Sequence, residues 1–227
     1  MQLCCAKLEG MNSVDTFQRA RSAEAKAARE QAILDAARAL ASERGIREIT
    51  LTDIADAVGM HKSAMLRYFE TREEIFLRLT ADGWREWTPA LCERVRAAST
   101  PSGVAAAFAA TLAARGPFCD LLAQAPLNLE RNVSVEAVRA FKLTTGENLA
   151  RIAEAVREAL PALSDTAARD LVAAATSLAG TFWQVSTPPP RIAELYRTDP
   201  RLGHALVDLE PRLRRILTAY LTGALAG

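Results

Sequence analysis

Breakers divide this chain at intervals, and almost everything between them favours helix. Gly45, Gly59, Thr100-Pro101, Gly116-Pro117, Pro126, Pro161 and Pro188-Pro189-Pro190 separate segments rich in Ala, Leu, Arg and Glu. These are strong helix formers, and no alternating run of β-branched residues interrupts them. The pattern predicts an all-α fold. Half of the 227 residues are hydrophobic, enough to bury a core without disulfides or metal.

The punctuation sets the helices. The first spans about Ala27 to Arg44, with Ile33, Leu34, Ala37, Leu40 and Ala41 on one face and Gly45 suited to the αL position beyond its end. Residues 1–25 have little pattern and read as a disordered, flexible arm; Met11 serves as a start as well as Met1. Thr50-Leu-Thr-Asp53 has the form of a capping box and opens a short helix ending at Val58-Gly59. A third helix covers about Lys62 to Phe69, and a fourth runs from Arg72 to about Ala98, with Pro89 marking a kink. Further helices begin at Pro101 and after Gly116, then span Asn132–Leu160, Ser164 or Asp165 to Ser186, and Pro211 to Ala226. Residues 191–200 form a connection with about one helical turn.

Several function classes are excluded by what is missing from the sequence. The four cysteines and two histidines make no CxxC and no ligand cluster at metal spacing. Neither a metal nor another cofactor is expected. No GxSxG, Walker loop, HExxH or Gly-rich nucleotide turn occurs, which argues against an enzyme. No apolar run reaches the roughly 18 residues of a membrane span, and the first residues lack a signal-peptide core. A reducing cytoplasm is the expected compartment. The net charge of +1 means that any nucleic-acid face must be local.

Such a face is present in GMHKSAMLRYFETREEI, residues 59–75. Two short helices joined by a tight glycine turn have the layout of a helix-turn-helix, whose second helix enters the DNA major groove. Ile54, Val58, Met60, Met65 and Phe69, with Leu34, Ala37 and Leu40, supply a small core. His61, Lys62, Ser63, Ala64, Arg67 and Tyr68 remain to meet base edges and phosphates. Over residues 59–72, Lys62, Arg67 and Arg72 against Glu70 give a local charge of +2. From composition alone, a solvated helical hairpin explains the segment as well.

The segment also resembles the DNA-binding domain of the TetR family of bacterial transcriptional regulators. The resemblance covers residues 29–79. It is carried by Ile49-Thr50-Leu51-Thr52-Asp53-Ile54-Ala55, Val58-Gly59-Met60 and Tyr68-Phe69-Glu70-Thr71-Arg72-Glu73-Glu74-Ile75-Phe76. It implies a homodimer, a double-stranded operator of two-fold symmetry, and a C-terminal domain that binds a small-molecule effector. It places recognition contacts on Lys62, Ala64, Arg67 and Tyr68, a second-helix contact near Thr52, and a phosphate contact on Arg72. Thr50, His61, Ser63 and Leu66 complete the candidate DNA face. Two positions depart from the family pattern: His61 replaces the usual capping Ser, and Leu66 replaces a phosphate-bonding Tyr. The implied organisation is an arm over 1–25, a helix-turn-helix domain over 26–72, and a helical ligand-binding and dimerisation domain over 73–227.

In the C-terminal domain two apolar stripes stand out. One carries Leu171, Ala175, Leu178 and Phe182, the other Leu213, Ile216, Leu217 and Tyr220. Their spacing fits intramolecular core and dimer interface equally; the resemblance favours a four-helix interface between two chains. Trp84, Trp87, Phe108, Phe118, Phe141 and Trp183 are individually core residues by type, and together with the resemblance they suggest walls of an apolar effector site. Asn148 leads the candidate orienting groups, with Asn128, Thr145 and Gln184. Cys92 and Cys119 fit either buried apolar residues or oxidant sensors, and His204 reads as a surface residue. The expected function is a ligand-responsive repressor. The alternatives are a helical protein-interaction module without DNA binding, and a helical-bundle enzyme.

Overall fold

In the computed structural model, residues 9–205 and 207–226 are described, with side chains from residue 23 onward. The described residues contain no strand. Among them ten helices follow in order: α1 (Glu9–Arg44), α2 (Leu51–Ala57), α3 (Lys62–Met65), α4 (Arg72–Arg96), α5 (Pro101–Ala113), α6 (Gly116–Gln124), α7 (Val135–Ala159), α8 (Asp165–Ser186), α9 (Pro190–Thr198) and α10 (Leu209–Ala226). Short 3-10 turns lie at Ile46–Glu48, Leu129–Arg131 and Pro200–Ala205.

The caps explain most of the boundaries. Thr50 accepts from the Asp53 N–H while the Asp53 carboxylate accepts from the Thr50 N–H, closing a reciprocal box at the start of α2. Gly59 has φ +64°, its N–H reaches Asp56 O at 3.1 Å, and the Met60 N–H reaches Ala55 O at 2.9 Å. This pair of bonds is a Schellman motif, which needs the left-handed conformation that glycine provides. Thr71, Thr100, Ser134 and Ser164 cap α4, α5, α7 and α8 with their hydroxyls.

Four expectations need correction. The first helix begins at Glu9, so residues 9–25 are helical and not an irregular arm; residues 1–8 lie outside the described residues. No proline stops that segment, and once a helix is nucleated each further residue adds a backbone bond. Second, α3 ends at Met65. The chain from Ala64 to Tyr68 tightens through bonds from Arg67 N–H to Ala64 O and Tyr68 N–H to Met65 O, which brings Phe69 into the core. Third, residues 190–198 form the two-turn helix α9, longer than the single turn expected. Fourth, Gly45 has φ +76° and ψ 154°. It is not an αL cap but sits in a region essentially reserved for glycine.

The molecule has a small head and a larger helical body, joined by α4. In the head, Ile33, Leu34, Ala37, Ile46, Ile49, Ile54, Ala55, Met65 and Phe69 are buried together. In the body, α5 is buried nearly all round, packed against α4, α6, α8 and α10. Helices α4 and α7 run side by side, tied by Arg85–Thr144, Cys92–Arg151 O and Arg96–Glu158 contacts. Among the described residues no single helix is long and apolar enough to cross a membrane.

Candidate functional site

The outer face of the head is built by α2 and α3. Met65 is fully buried and pins α3 to the core, while His61, Lys62, Ser63, Leu66 and Arg67 around it are exposed. Ala64 and Tyr68 are half-buried, and Tyr68 packs its ring on the core. Thr52 is exposed on α2 beside them. Thr50 is exposed too, but its hydroxyl is engaged with Asp53, whose acidity is raised by the Thr50 hydroxyl and N–H bonds. His61 stands at the N-cap of α3. Its Nδ1 lies 2.9 Å from the Ser63 hydroxyl and accepts a long bond of 3.4 Å from the Ser63 N–H, so the imidazole partly fills the role of the missing serine. Among the described residues, neither Lys62 nor Arg67 is held in an ion pair, which leaves both cations directed to solvent.

Arg72 behaves differently from what the resemblance implies. Its side chain is only 16% exposed; Nη1 pairs with Glu73 at 2.8 Å, Nη2 donates to Ile46 O at 2.5 Å, and the guanidinium stacks 5.0 Å over the Phe76 ring. It fastens the start of α4 to the α1–α2 turn and is not presented to a phosphate. The local sequence carries no signal for this, because the partner carbonyl is 26 residues away.

In the body, four of the aromatic candidates form one cluster. Trp87 meets Trp84 at 5.5 Å, Phe118 at 5.8 Å and Phe108 at 6.0 Å between ring centres, mostly edge to face. The Trp87 Nε1–H donates to Thr111 Oγ1 at 3.0 Å. Gly83 makes this packing possible, since a Cβ there would lie 2.3 Å from the Phe118 ring; Gly116 likewise admits Trp183 against α6, where a Cβ would lie 2.2 Å from its ring. Trp183, against α6, and Phe141 and Asn148, on α7, stand apart from the cluster. Asn148 is buried and donates to Thr144 O at 2.8 Å, while its Oδ1 has no protein partner among the described residues. Phe141 borders a cleft of about 160 Å³ between α4 and α7, and Phe118 floors one of about 380 Å³ between α1, α4 and α6. Asn128 and Thr145 lie near the surface, and His204 is exposed.

Cys92 and Cys119 are poorly suited to redox sensing. Burial pushes the Cys119 thiol up to about 12 and raises Cys92, so both keep their protons at neutral pH and are weak nucleophiles.

The proposed interface stripes divide into two sets. Leu171, Ala175, Leu213 and Leu217 are fully buried within one chain, because α10 packs on both α5 and α8. They are core residues, not interface. Leu178, Phe182, Ile216 and Tyr220 remain partly exposed on the outer side of α8 and α10; Tyr220 donates its hydroxyl to Ala167 O, and Arg212 stacks on Phe182 at 5.3 Å.

Comparison with known proteins agrees with this architecture. The family model described as "Bacterial regulatory proteins, tetR family" matches residues 33–79, and "Tetracyclin repressor-like, C-terminal domain" matches residues 81–227. No curated protein matches. Among solved structures, a TetR-family regulator from Mesorhizobium loti is 18% identical with a TM-score of 0.53, covering 88% of this chain and 96% of its own. PfmR, a TetR-family transcriptional regulator from Thermus thermophilus, is 18% identical with a TM-score of 0.52, covering 84% and 97%. The regulator FadR from Bacillus subtilis, solved with stearoyl-CoA, is 14% identical with a TM-score of 0.50, covering 84% and 98%. At these identities the likeness speaks for the fold, and the two family matches speak for descent: the chain belongs to the TetR family of bacterial transcriptional regulators.

Proposed function

We propose that this protein is a homodimeric repressor that binds a palindromic operator through α3 and leaves it when a small, largely apolar molecule enters the body. The observation that carries the proposal is the division of the head. Met65 and Phe69 are buried, while Thr52, His61, Lys62, Ser63, Leu66 and Arg67 are exposed together, with the two cations unpaired among the described residues. Lys62 and Arg67 supply charge and bidentate donors, and Thr52, Ser63 and Tyr68 supply hydroxyls.

The second copy would seat on the residual apolar face of Leu178, Phe182, Ile216 and Tyr220. Two recognition helices must then match half-sites about 34–36 Å apart, which a tilt of α4 would disturb. Cytoplasmic action follows from the DNA target. For the effector, the aromatic cluster around Trp84, Trp87 and Phe118 and the α4–α7 seam at Phe141 and Asn148 are the candidate walls. FadR was solved with stearoyl-CoA, so long-chain acyl compounds are the first class to screen.

The test is selection of duplexes from genomic DNA by the purified protein, followed by titration of the recovered sequence. Enrichment of a two-fold symmetric site, bound by a dimer of twice 24.6 kDa and released by an apolar ligand, supports the reading. Failure to enrich any duplex refutes it.

A further inference from the structure

Resting on the regulator reading above, we infer that Asp120 is a brace between body and head that sets the orientation of the DNA-binding face. Asp120 lies on α6 and is 8% exposed. Its Oδ1 accepts from Gln184 Nε2 of α8 at 2.7 Å. Its Oδ2 accepts from the Ile46 N–H, in the turn between α1 and α2, at 3.1 Å. A single carboxylate thus joins three parts of the molecule that lie far apart in sequence.

The turn it grips is held at its other end as well. The Ile46 carbonyl accepts from Arg72 at the first residue of α4. The Ile46 N–H is thus committed to α6, its carbonyl is shared between α4 and the Ile49 N–H of its own turn at 3.4 Å, and its side chain is 1% exposed in the head core. Gly45, with φ +76°, makes the geometry possible through its backbone; a Cβ there would meet Asp120 Oδ2 only at an ordinary contact distance of 3.8 Å.

A buried carboxylate is costly unless its acceptors are used. Here two neutral donors satisfy it only while α6, α8 and the turn keep their present arrangement. A displacement of α6 or α8 must therefore stretch the Asp120–Ile46 bond or carry the turn with it. Since α6 also presents Phe118 to the aromatic cluster, repacking of that cluster reaches the head by a second route besides α4.

The experiment compares wild type with Asp120→Asn, Asp120→Ala and Gln184→Leu. Asn conserves volume and keeps an acceptor for only one of the two donors, so it serves if the Ala variant does not fold. Head orientation is read without DNA from the distance distribution between spin labels at positions 56 and 94, both exposed, with Cys4 and Cys5 replaced by Ser. Operator affinity is read on the unlabelled proteins. Loss of the brace should broaden or displace the distance distribution, speed amide exchange in the segment around Ile46, and change operator affinity by at least about fivefold. A distribution identical to wild type with affinity within about twofold would overturn the proposal even if the melting temperature fell, because Asp120 would then be only a stabilising residue. If wild type selects no duplex, the regulator reading fails, and the distance distribution alone decides whether the brace exists.

Discussion

Two cations on the outer face of the head and four on the body are handled in opposite ways. On the head's outer face Lys62 and Arg67 stand without an ion partner among the described residues. In the body Arg85 pairs with Asp82, Arg96 with Glu158, Arg115 with Glu86, and Lys142 with Glu130. A paired cation has its field largely neutralised at short range; an unpaired one keeps it for a polyanion and releases counterions when it binds. A chain with a net charge of +1 can therefore recognise DNA, because the charge that matters is local and uncompensated.

The contrast makes graded predictions. The largest effect is expected from Trp87→Ala in the body. It removes a fully buried ring and its bond to Thr111, and should lower stability by about 3–5 kcal/mol. Denaturant unfolding measures this, and a loss under about 1 kcal/mol would mean that the cluster is loosely packed or already cavity-lined. Next comes Arg67→Ala in the head. It should weaken operator binding by about 1–3 kcal/mol while leaving the melting temperature unchanged, since the side chain is exposed and unpaired. Equal affinity for wild type and variant would remove the distinction between the two regions.

Thr50→Ala tests the head's own scaffold. Loss of the capping box should cost about 1 kcal/mol of stability. Asp53 has its folded pKa lowered, first by the Thr50 hydroxyl and then by the Thr50 N–H. Its contribution is present above the usual aspartate range and is lost as pH falls through the depressed value. The Thr50→Ala deficit should therefore shrink in strong acid; a deficit independent of pH would assign it to the hydroxyl alone.

The smallest effect is expected from Glu86→Gln, which removes a bidentate partner from Arg115 with bonds of 2.7 and 2.8 Å. Glu86 is well exposed, so the loss should be about 0.2–1 kcal/mol at neutral pH. The Arg115 bond lowers the folded Glu86 pKa, so the pair's contribution is lost as pH falls through that lowered value. A much larger loss would show that paired cations in the body bear more of its stability than their exposure suggests.

The ease with which each feature is read from sequence depends on how local its cause is. The capping box at Thr50, the Gly59 turn and the caps at Thr100 and Ser164 are decided within a few residues, and the spacing predicts them. The start of α1 escapes such a reading because residues 9–25 show little apolar pattern, yet contain no proline to stop an extending helix. Periodicity identifies the faces of α8 and α10 but not what each face touches, so it groups Leu171 and Leu213 with Leu178 and Ile216. The inward turn of Arg72 and the role of Asp120 depend on Ile46, 26 and 74 residues away, and no local pattern encodes those distances.

Helix α4 crosses from head to body, and its length has a mechanical consequence. Its 25 residues span about 37 Å, so a tilt of about 5° about its far end carries Arg72 through about 3 Å. Hydrogen bonds stop being bonds after a stretch of a few tenths of an ångström beyond about 3.2 Å. The 3.1 Å contact between Asp120 and Ile46 is thus about ten times less tolerant than the motion α4 can deliver. A long lever coupled to a strut that yields so little would act as a trigger on the proposed brace: the head would hold its place until the strut gives.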